Sequence, residues 1–179
     1  MKNSINREQP EENTENLIGE EAITRIKEIV DDAKTCFFRT SKATDPTDAV
    51  RPMNVLKTDD LGNLWFLSAN DSHKNEEIAR DPSVELFFQR SAHSGFLHLT
   101  GTATISTDQA TIEDLWNPLL KTWFTEGKTD PRITAIRFTP HHGYYWDNKH
   151  GNLVAGVKML IGAAVGKTLD DSIEGTLEP

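Results

Sequence analysis

Apolar side chains at Ile18, Ala22, Ile23, Ile26, Ile29, Val30 and Ala33 recur every three or four residues. They form one stripe of a helix, and the spacing predicts that helix across 17–34. The residues before it, 1–16, are polar and acidic and read as a solvated tail. From residue 35 the pattern changes. Thr-Cys-Phe-Phe-Arg-Thr-Ser at 35–41 is β-branched and aromatic and predicts a strand. Residues 44–48, with Pro46, read as a loop. Residues 50–58 and 64–69 read as a hairpin around Asp59-Asp60-Leu61-Gly62-Asn63. A polar loop at 70–72 leads into a short helix at about 73–79, ended by Asp81-Pro82. Residues 84–90 and 96–106 read as a second strand pair across 91–95.

Ser106 and Gln109 have the spacing of a capping box, which predicts a helix to about Asn117 with Pro118 as its breaker. Leu120, Trp123 and Phe124 mark one side of a further short helix over 119–127. Residues 133–139 and 143–147 read as the last two strands, 153–165 as a final helix, and 167–179 as a fraying acidic tail. Strands joined by hairpins, with helices between the groups, exclude a regular βαβ repeat. The expected fold is mainly β, an antiparallel sheet or barrel with attached helices. It forms one domain over 17–166, flanked by tails at 1–16 and 167–179, and no internal repeat is visible.

The chain has 179 residues, of which 36% are hydrophobic and 26% charged. That is enough apolar material for one core and argues against global disorder. The net charge of -9 speaks against a phosphate-backbone binder, which needs a basic face, so nucleic acid is not an expected partner. Cys36 is the single cysteine, which excludes an internal disulfide and a thiolate cluster and suits a reducing cytosol. The first sixteen residues lack the apolar segment of a signal peptide. The longest mostly apolar run, 153–166, contains Lys158 and is too short to span a bilayer. A cytoplasmic protein without a membrane segment is therefore expected.

Three segments carry chemistry. In Leu-Ser-Ala-Asn-Asp-Ser-His-Lys at 67–74, Asp71 or Ser72 can cap the helix that follows. Helix N-termini suit phosphate, and Ser72 and Lys74 add a hydroxyl and a charge. The plainer alternative is an ordinary cap with a solvated lysine. In Val-Arg-Pro-Met-Asn-Val at 50–55, alternation puts Arg51, Met53 and Val55 on one face and Asn54 on the other. Arg51 is suited to bidentate phosphate binding. Pro52 lacks an N–H and marks an edge or a bulge. An ordinary edge strand with a surface arginine is the alternative. The third segment, 137–147, sets Tyr144, Tyr145 and Trp146 after a proline-marked corner at Pro140. Those rings can face a planar ligand or simply pack in the core.

Other signals are weaker. His141 and His142 are adjacent on a strand and face opposite ways, and with His150 they show no familiar ligand spacing, so no metal site is expected. His98 reads as a packed strand residue. Gly166-Lys167-Thr168 lacks the first glycine of a P-loop, Ile161 standing there. Cys36 has no base near it in sequence and reads as core.

Together, Arg-Pro-Met-x-Val from 51, an aromatic-rich strand, Ser72-x-Lys74 before a short helix ending in Asp-Pro, and Thr139-Pro140 leading to Trp146 resemble the FMN-binding split-barrel family of pyridoxamine 5'-phosphate oxidase-like proteins. The general stress protein 26-like branch is the most similar. The resemblance spans about 23–147. It implies a six-stranded antiparallel split β-barrel with peripheral helices, in a homodimer holding two FMN molecules at the subunit interface. Carried over, Arg51 and Lys74 would pair with the FMN phosphate and Ser72 would hydrogen-bond it. Pro52, Met53, Asn54 and Val55 would line the isoalloxazine, partly through backbone groups. Leu67 and Ser68 would add flavin contacts, and Trp146 of the partner subunit would approach the ring.

FAD or a deazaflavin shares the phosphate and the tricyclic ring and stays open as a cofactor. The chain departs from the vitamin B6 oxidases in two places. His73 stands where their phosphate loop has a basic residue, and no arginine follows Trp146 where their Arg-x-His segment meets the substrate. The resemblance therefore implies an FMN-dependent oxidoreductase that is not a vitamin B6 oxidase, exchanging electrons with a small-molecule donor or acceptor. A flavin-binding stress, storage or sensor protein without turnover is the alternative, and a barrel that has lost its cofactor a further one. No side chain demands a catalytic role.

Overall fold

The computed structural model describes residues 13–43, 49–92, 94–149 and 171–179. The expected loop at 44–48 and helix at 153–165 lie outside the described residues. Strands dominate, as the alternation indicates: β1 (Leu17–Ile18), β2 (Thr35–Thr40), β3 (Val50–Asn54), β4 (Lys57–Thr58), β5 (Leu64–Ala69), β6 (Ser83–Gln89), β7 (Phe96–Ser106), β8 (Ile133–Asn148) and β9 (Ser172–Glu178). The helices are α1 (Glu20–Ala33), α2 (His73–Arg80) and α3 (Gln109–Leu115), with two 3-10 turns at Pro118–Thr122 and Gly127–Thr129. The described strands number nine against the six that the resemblance implies.

Strand order runs β1-β9-β8-β7-β6-β2-β3, with β4 on β5 and β5 on β8. All pairs are antiparallel except β1 on β9. The stretch expected as one strand over 50–58 divides. Its first half pairs with β2, from Val50 opposite Arg39 to Asn54 opposite Thr35. Its second half pairs with β5, Lys57 opposite Trp65. The handover occurs within two residues: Val55 N donates to Lys34 O at 2.9 Å and Leu56 N to Trp65 O at 2.9 Å. Six lengths of chain (β2, β3 with β4, β5, β8, β7, β6) thus curl into a barrel whose sheet does not close. It is split between β3 and β5.

The two strands expected at 133–139 and 143–147 are one strand of 16 residues. Pro140 does not break it, because it lies opposite Gly101 while Thr100 lies opposite His142. His141 is the extra residue of a β-bulge, where a proline is tolerated. Glycine is required at 101, since a Cβ there would stand 2.1 Å from Thr139 O. The bulge bends β8, so that one edge serves β5 over 133–138 and β9 over 143–148.

Two sequence expectations are corrected at the termini. The helix begins at Glu20 rather than at 17, because Leu17 and Ile18 pair in parallel with Leu177 and Glu178. The stretch 172–178, read as part of a fraying acidic tail, is a strand held on both edges, by β8 and by residues 13–18. Its acidic side chains stay at least partly exposed while Gly175 and Leu177 are buried, and ladder bonds do not depend on side-chain charge. Gly175 is needed there, because a Cβ would lie 1.8 Å from Glu15 O.

Helix α1 lays Ala22, Ile26, Ile29 and Val30 on a core of Phe38, Phe66, Leu86, Leu99, Phe138, Tyr145 and Leu177. Buried Asp147 fixes it further, accepting from Arg90 at 2.7 Å and pairing with Arg25 of α1 at 3.5 Å. The capping box expected at Ser106 is replaced by Asp108, whose carboxylate accepts from Thr111 N at 2.8 Å. A second, smaller core gathers Leu67, Ile112, Leu115, Phe124, Ile133 and Ala135 under α3 and the 3-10 turns.

Removing the buried anchor of β9 is costly. Leu177→Ala should lower unfolding free energy in urea by about 2–5 kcal/mol. A change near zero would return the segment to a frayed tail.

Candidate functional site

The split in the barrel leaves a cleft of about 480 Å³, lined by residues on both sides of the handover: Thr35 of β2, Pro52, Met53 and Asn54 of β3, Leu56, and Leu67, Ser68 and Ala69 of β5. Ser72 and Lys74 line one part, and Leu120, Trp123 and Phe124 complete it.

The polar part is built at the start of α2. Ser72 is the N-cap by position, yet its side chain makes no cap hydrogen bond. Its hydroxyl lies 3.1 Å from Ser68 Oγ and donates to Asn75 Oδ1 at 3.1 Å. Lys74 Nζ donates to Ser68 Oγ at 2.6 Å and to Ser72 Oγ at 3.4 Å. Buried Asn75 Nδ2 donates to Thr134 Oγ1 at 2.8 Å, and Thr134 Oγ1 donates to Ser68 O at 2.9 Å. One ammonium and two hydroxyls are thus braced against β5 and β8 at a helix N-terminus, an arrangement suited to an anion.

Arg51 is paired within the chain. It alternates inward with Met53, and its guanidinium pairs at 2.8 Å with Glu77 of α2, which is fully buried. Thr40 Oγ1 donates to the same carboxylate at 2.7 Å. Arg51 does not line the cleft. It ties β3, one wall, to α2, which carries Lys74. Val55 is also outside the lining and packs on the main core.

Trp146 does not line the cleft. It is 44% exposed and tilts against Tyr144 at 4.6 Å, while Tyr145 is fully buried core. Trp146 belongs to an exposed aromatic face with Phe37, Phe87 and Phe96. His98 stacks on Phe87 at 4.5 Å and meets Glu85 at 3.1 Å. A smaller hollow of about 290 Å³ runs along this face, and Thr35 and Pro52 line both it and the cleft. Cys36 sits in its floor, and burial pushes its thiol up to about 12, so it is no nucleophile near neutral pH.

The sequence reading therefore placed Pro52, Met53, Asn54, Leu67, Ser68, Ser72 and Lys74 where the structure brings them together, and named Arg51, Val55 and Trp146, which one chain's cleft does not include. It did not assign Leu120, Trp123 and Phe124 to the site. Their stripe was visible, but nothing in it says which sheet edge the turn covers. Among the described residues no group of three metal-ligating side chains converges, and no helix is long and apolar enough to cross a membrane.

With this geometry in view, residues 21–170 match the model of the pyridoxamine 5'-phosphate oxidase-like family, and the chain belongs to that family. A general stress protein 26 structure from Jannaschia sp. CCS1 superposes with a TM-score of 0.73 at 21% identity, over 90% of this chain and all of that one (100%). The general stress FMN/FAD binding protein of Xanthomonas citri is 25% identical, with a TM-score of 0.59, over 68% of this chain and 84% of its own. Protein bli-3 of Neurospora crassa is 30% identical over 96 residues, 49% of this chain and 46% of that protein. The chain thus spans about half the length of this curated relative.

The Arg51–Glu77 pair makes a stability prediction. Removing one partner strands the other charge in a buried place, so Glu77→Ala should cost about 3–5 kcal/mol in urea denaturation. A loss below about 1 kcal/mol would mean that the pair is solvated and weak.

Proposed function

We propose that the chain binds FMN in this cleft, with the phosphate at Lys74, Ser68 and Ser72 and the isoalloxazine along Pro52, Met53 and Asn54. Membership of the family and the Xanthomonas neighbour, described as FMN/FAD binding, support a flavin. The observation that carries the reading is the Lys74–Ser68–Ser72 cluster, an ammonium and two hydroxyls braced at a helix start and opening on a mostly apolar cleft. The residues fit the group: a phosphate meets charge-assisted donors, and a ring system meets Met53, Leu56 and Leu67. Arg51 serves in this reading as a positioning residue that orients α2 through Glu77.

Bound flavin would supply hydride and electron chemistry. The protein holds the ring and keeps part of it from water. Among the described residues Lys74 is the one titratable side chain of the lining, so no general acid or base is assigned. We read the protein as a cytoplasmic FMN-dependent oxidoreductase acting with a small-molecule electron donor or acceptor. That same lack of a proton-transfer group favours flavin storage or sensing without turnover as the second reading. Vitamin B6 oxidation is disfavoured, because a second phosphate would need a second cationic cradle and Lys74 is the one cation of the lining among the described residues.

Release of the cofactor from purified protein, with its mass and absorbance, separates FMN from FAD and a deazaflavin. Lys74→Ala removes a charged hydrogen bond of roughly 1.5–3 kcal/mol and should weaken FMN binding by about 10–150-fold while the fold persists. Unchanged affinity would move the phosphate elsewhere.

The exposed aromatic face supports a homodimer that places the cofactor at the interface, since it adjoins the cleft at Thr35 and Pro52 and a patch of this kind marks an interaction surface. Light scattering should give about twice the 20.1 kDa chain mass. A monomer that binds FMN tightly would refute this assignment.

A further inference from the structure

The segment 118–124 contributes Leu120, Trp123 and Phe124 to the cleft, and its side chains divide by burial. Phe124 is 5% exposed and sits in the smaller core with Leu67 and Ala135, and Leu120 packs against the same cluster. Arg132, bound to Asp130 at 2.7 Å, reaches back to Trp123 O at 3.4 Å. The turn is therefore anchored. Trp123 nevertheless lines the cleft with 64% of its surface exposed, and neighbouring Leu119 is 76% exposed. A fixed backbone thus presents a large ring at the lip with little of its area buried. An indole so placed gains strongly from a ligand ring that covers it.

Charge decides which ligand. Among the described residues the lining holds Lys74 as its one charged side chain, at the polar end. The rest of the lining is apolar (Pro52, Met53, Leu56, Leu67, Ala69, Leu120, Phe124) or neutral (Thr35, Asn54). Lys121, on the same turn, is exposed and does not line the cleft. With the phosphate on Lys74, a charged group entering between β3 and Trp123 would lose water without gaining a partner. We infer that the outer half of the cleft, between the β3 wall and Trp123, binds an uncharged planar ring compound stacked on the indole. This rests on the flavin reading above, the flavin ring then lying on the β3 side and its free face turned to Trp123.

The test uses FMN-loaded protein, whose flavin content is first measured by absorbance. Two probes of similar shape are titrated by calorimetry: 2-methyl-1,4-naphthoquinone, which is neutral, and 1,4-naphthoquinone-2-sulfonate, which is anionic. The neutral quinone should bind at least about tenfold tighter, and Trp123→Ala should weaken it by about tenfold. Dimer mass and urea midpoint should stay unchanged in the variant. Equal binding of both probes, or binding of neither, overturns the inference. A loss of FMN affinity in Trp123→Ala would assign the indole to the flavin itself, and a fall to monomer would assign it to the subunit contact. Each overturns the inference while leaving the flavin reading intact. A wild-type protein that takes up no flavin removes the flavin reading and this inference with it.

Discussion

The backbone hydrogen bonds of residues 50–58 set the shape of the site. A curved sheet must satisfy every buried N–H and C=O, and this stretch cannot pair with β2 and β5 along its whole length at once. It divides instead, bonding Lys34 O through Val55 and Trp65 O through Leu56. The two neighbours diverge on either side of that point. The cleft lies in the gap, and Thr35, Asn54, Leu56 and Leu67 line it because they flank the split. The opening is thus a consequence of strand pairing, and the side chains around it decide what it can hold.

Two further devices keep the gap in register. The bulge at His141 turns β8 so that its outer edge serves β5 and β9 in succession, which closes the core under Tyr145 and leaves β5 as the far wall. The Arg51–Glu77 pair then links β3 to α2 across the core side. A buried pair of this kind is weak evidence for net stability, because desolvation offsets much of its attraction. Its effect is on position: moving α2 relative to β3 would pull Glu77 off both Arg51 and Thr40. Lys74, one turn before Glu77 on the same helix, is held in place with it.

Much of the candidate site was legible in the sequence because it is local. Ser72 and Lys74 lie two residues apart at a helix start, and Pro52, Met53 and Asn54 are contiguous on one strand, so short-range geometry is enough to group them. Arginine at 51 has the bidentate chemistry of a phosphate ligand, and the family resemblance gives it that role. Within the chain Arg51 pairs with Glu77, 26 positions on, and pairing over that distance depends on how α2 docks. The role of Trp123 was hidden for the same reason. The stripe Leu120, Trp123, Phe124 announces an amphipathic turn, but which face it covers depends on α3 packing beneath β5.

The sequence by itself determined the elements: a helix ending near residue 34, strands with period-two burial, a short helix at 73, and a family resemblance that the fold sustains. These follow from periodicity and turn chemistry, which act over a few residues. Only the tertiary structure decided that 133–148 is one strand, that 172–178 joins the sheet, and that 50–58 splits between two partners. Proline and acidic residues disfavour strands on average, yet a bulge accommodates Pro140, and backbone bonding to both neighbours holds the acidic β9. Ladder bonds are made between residues far apart in sequence, so which edges are available is a property of the assembled sheet.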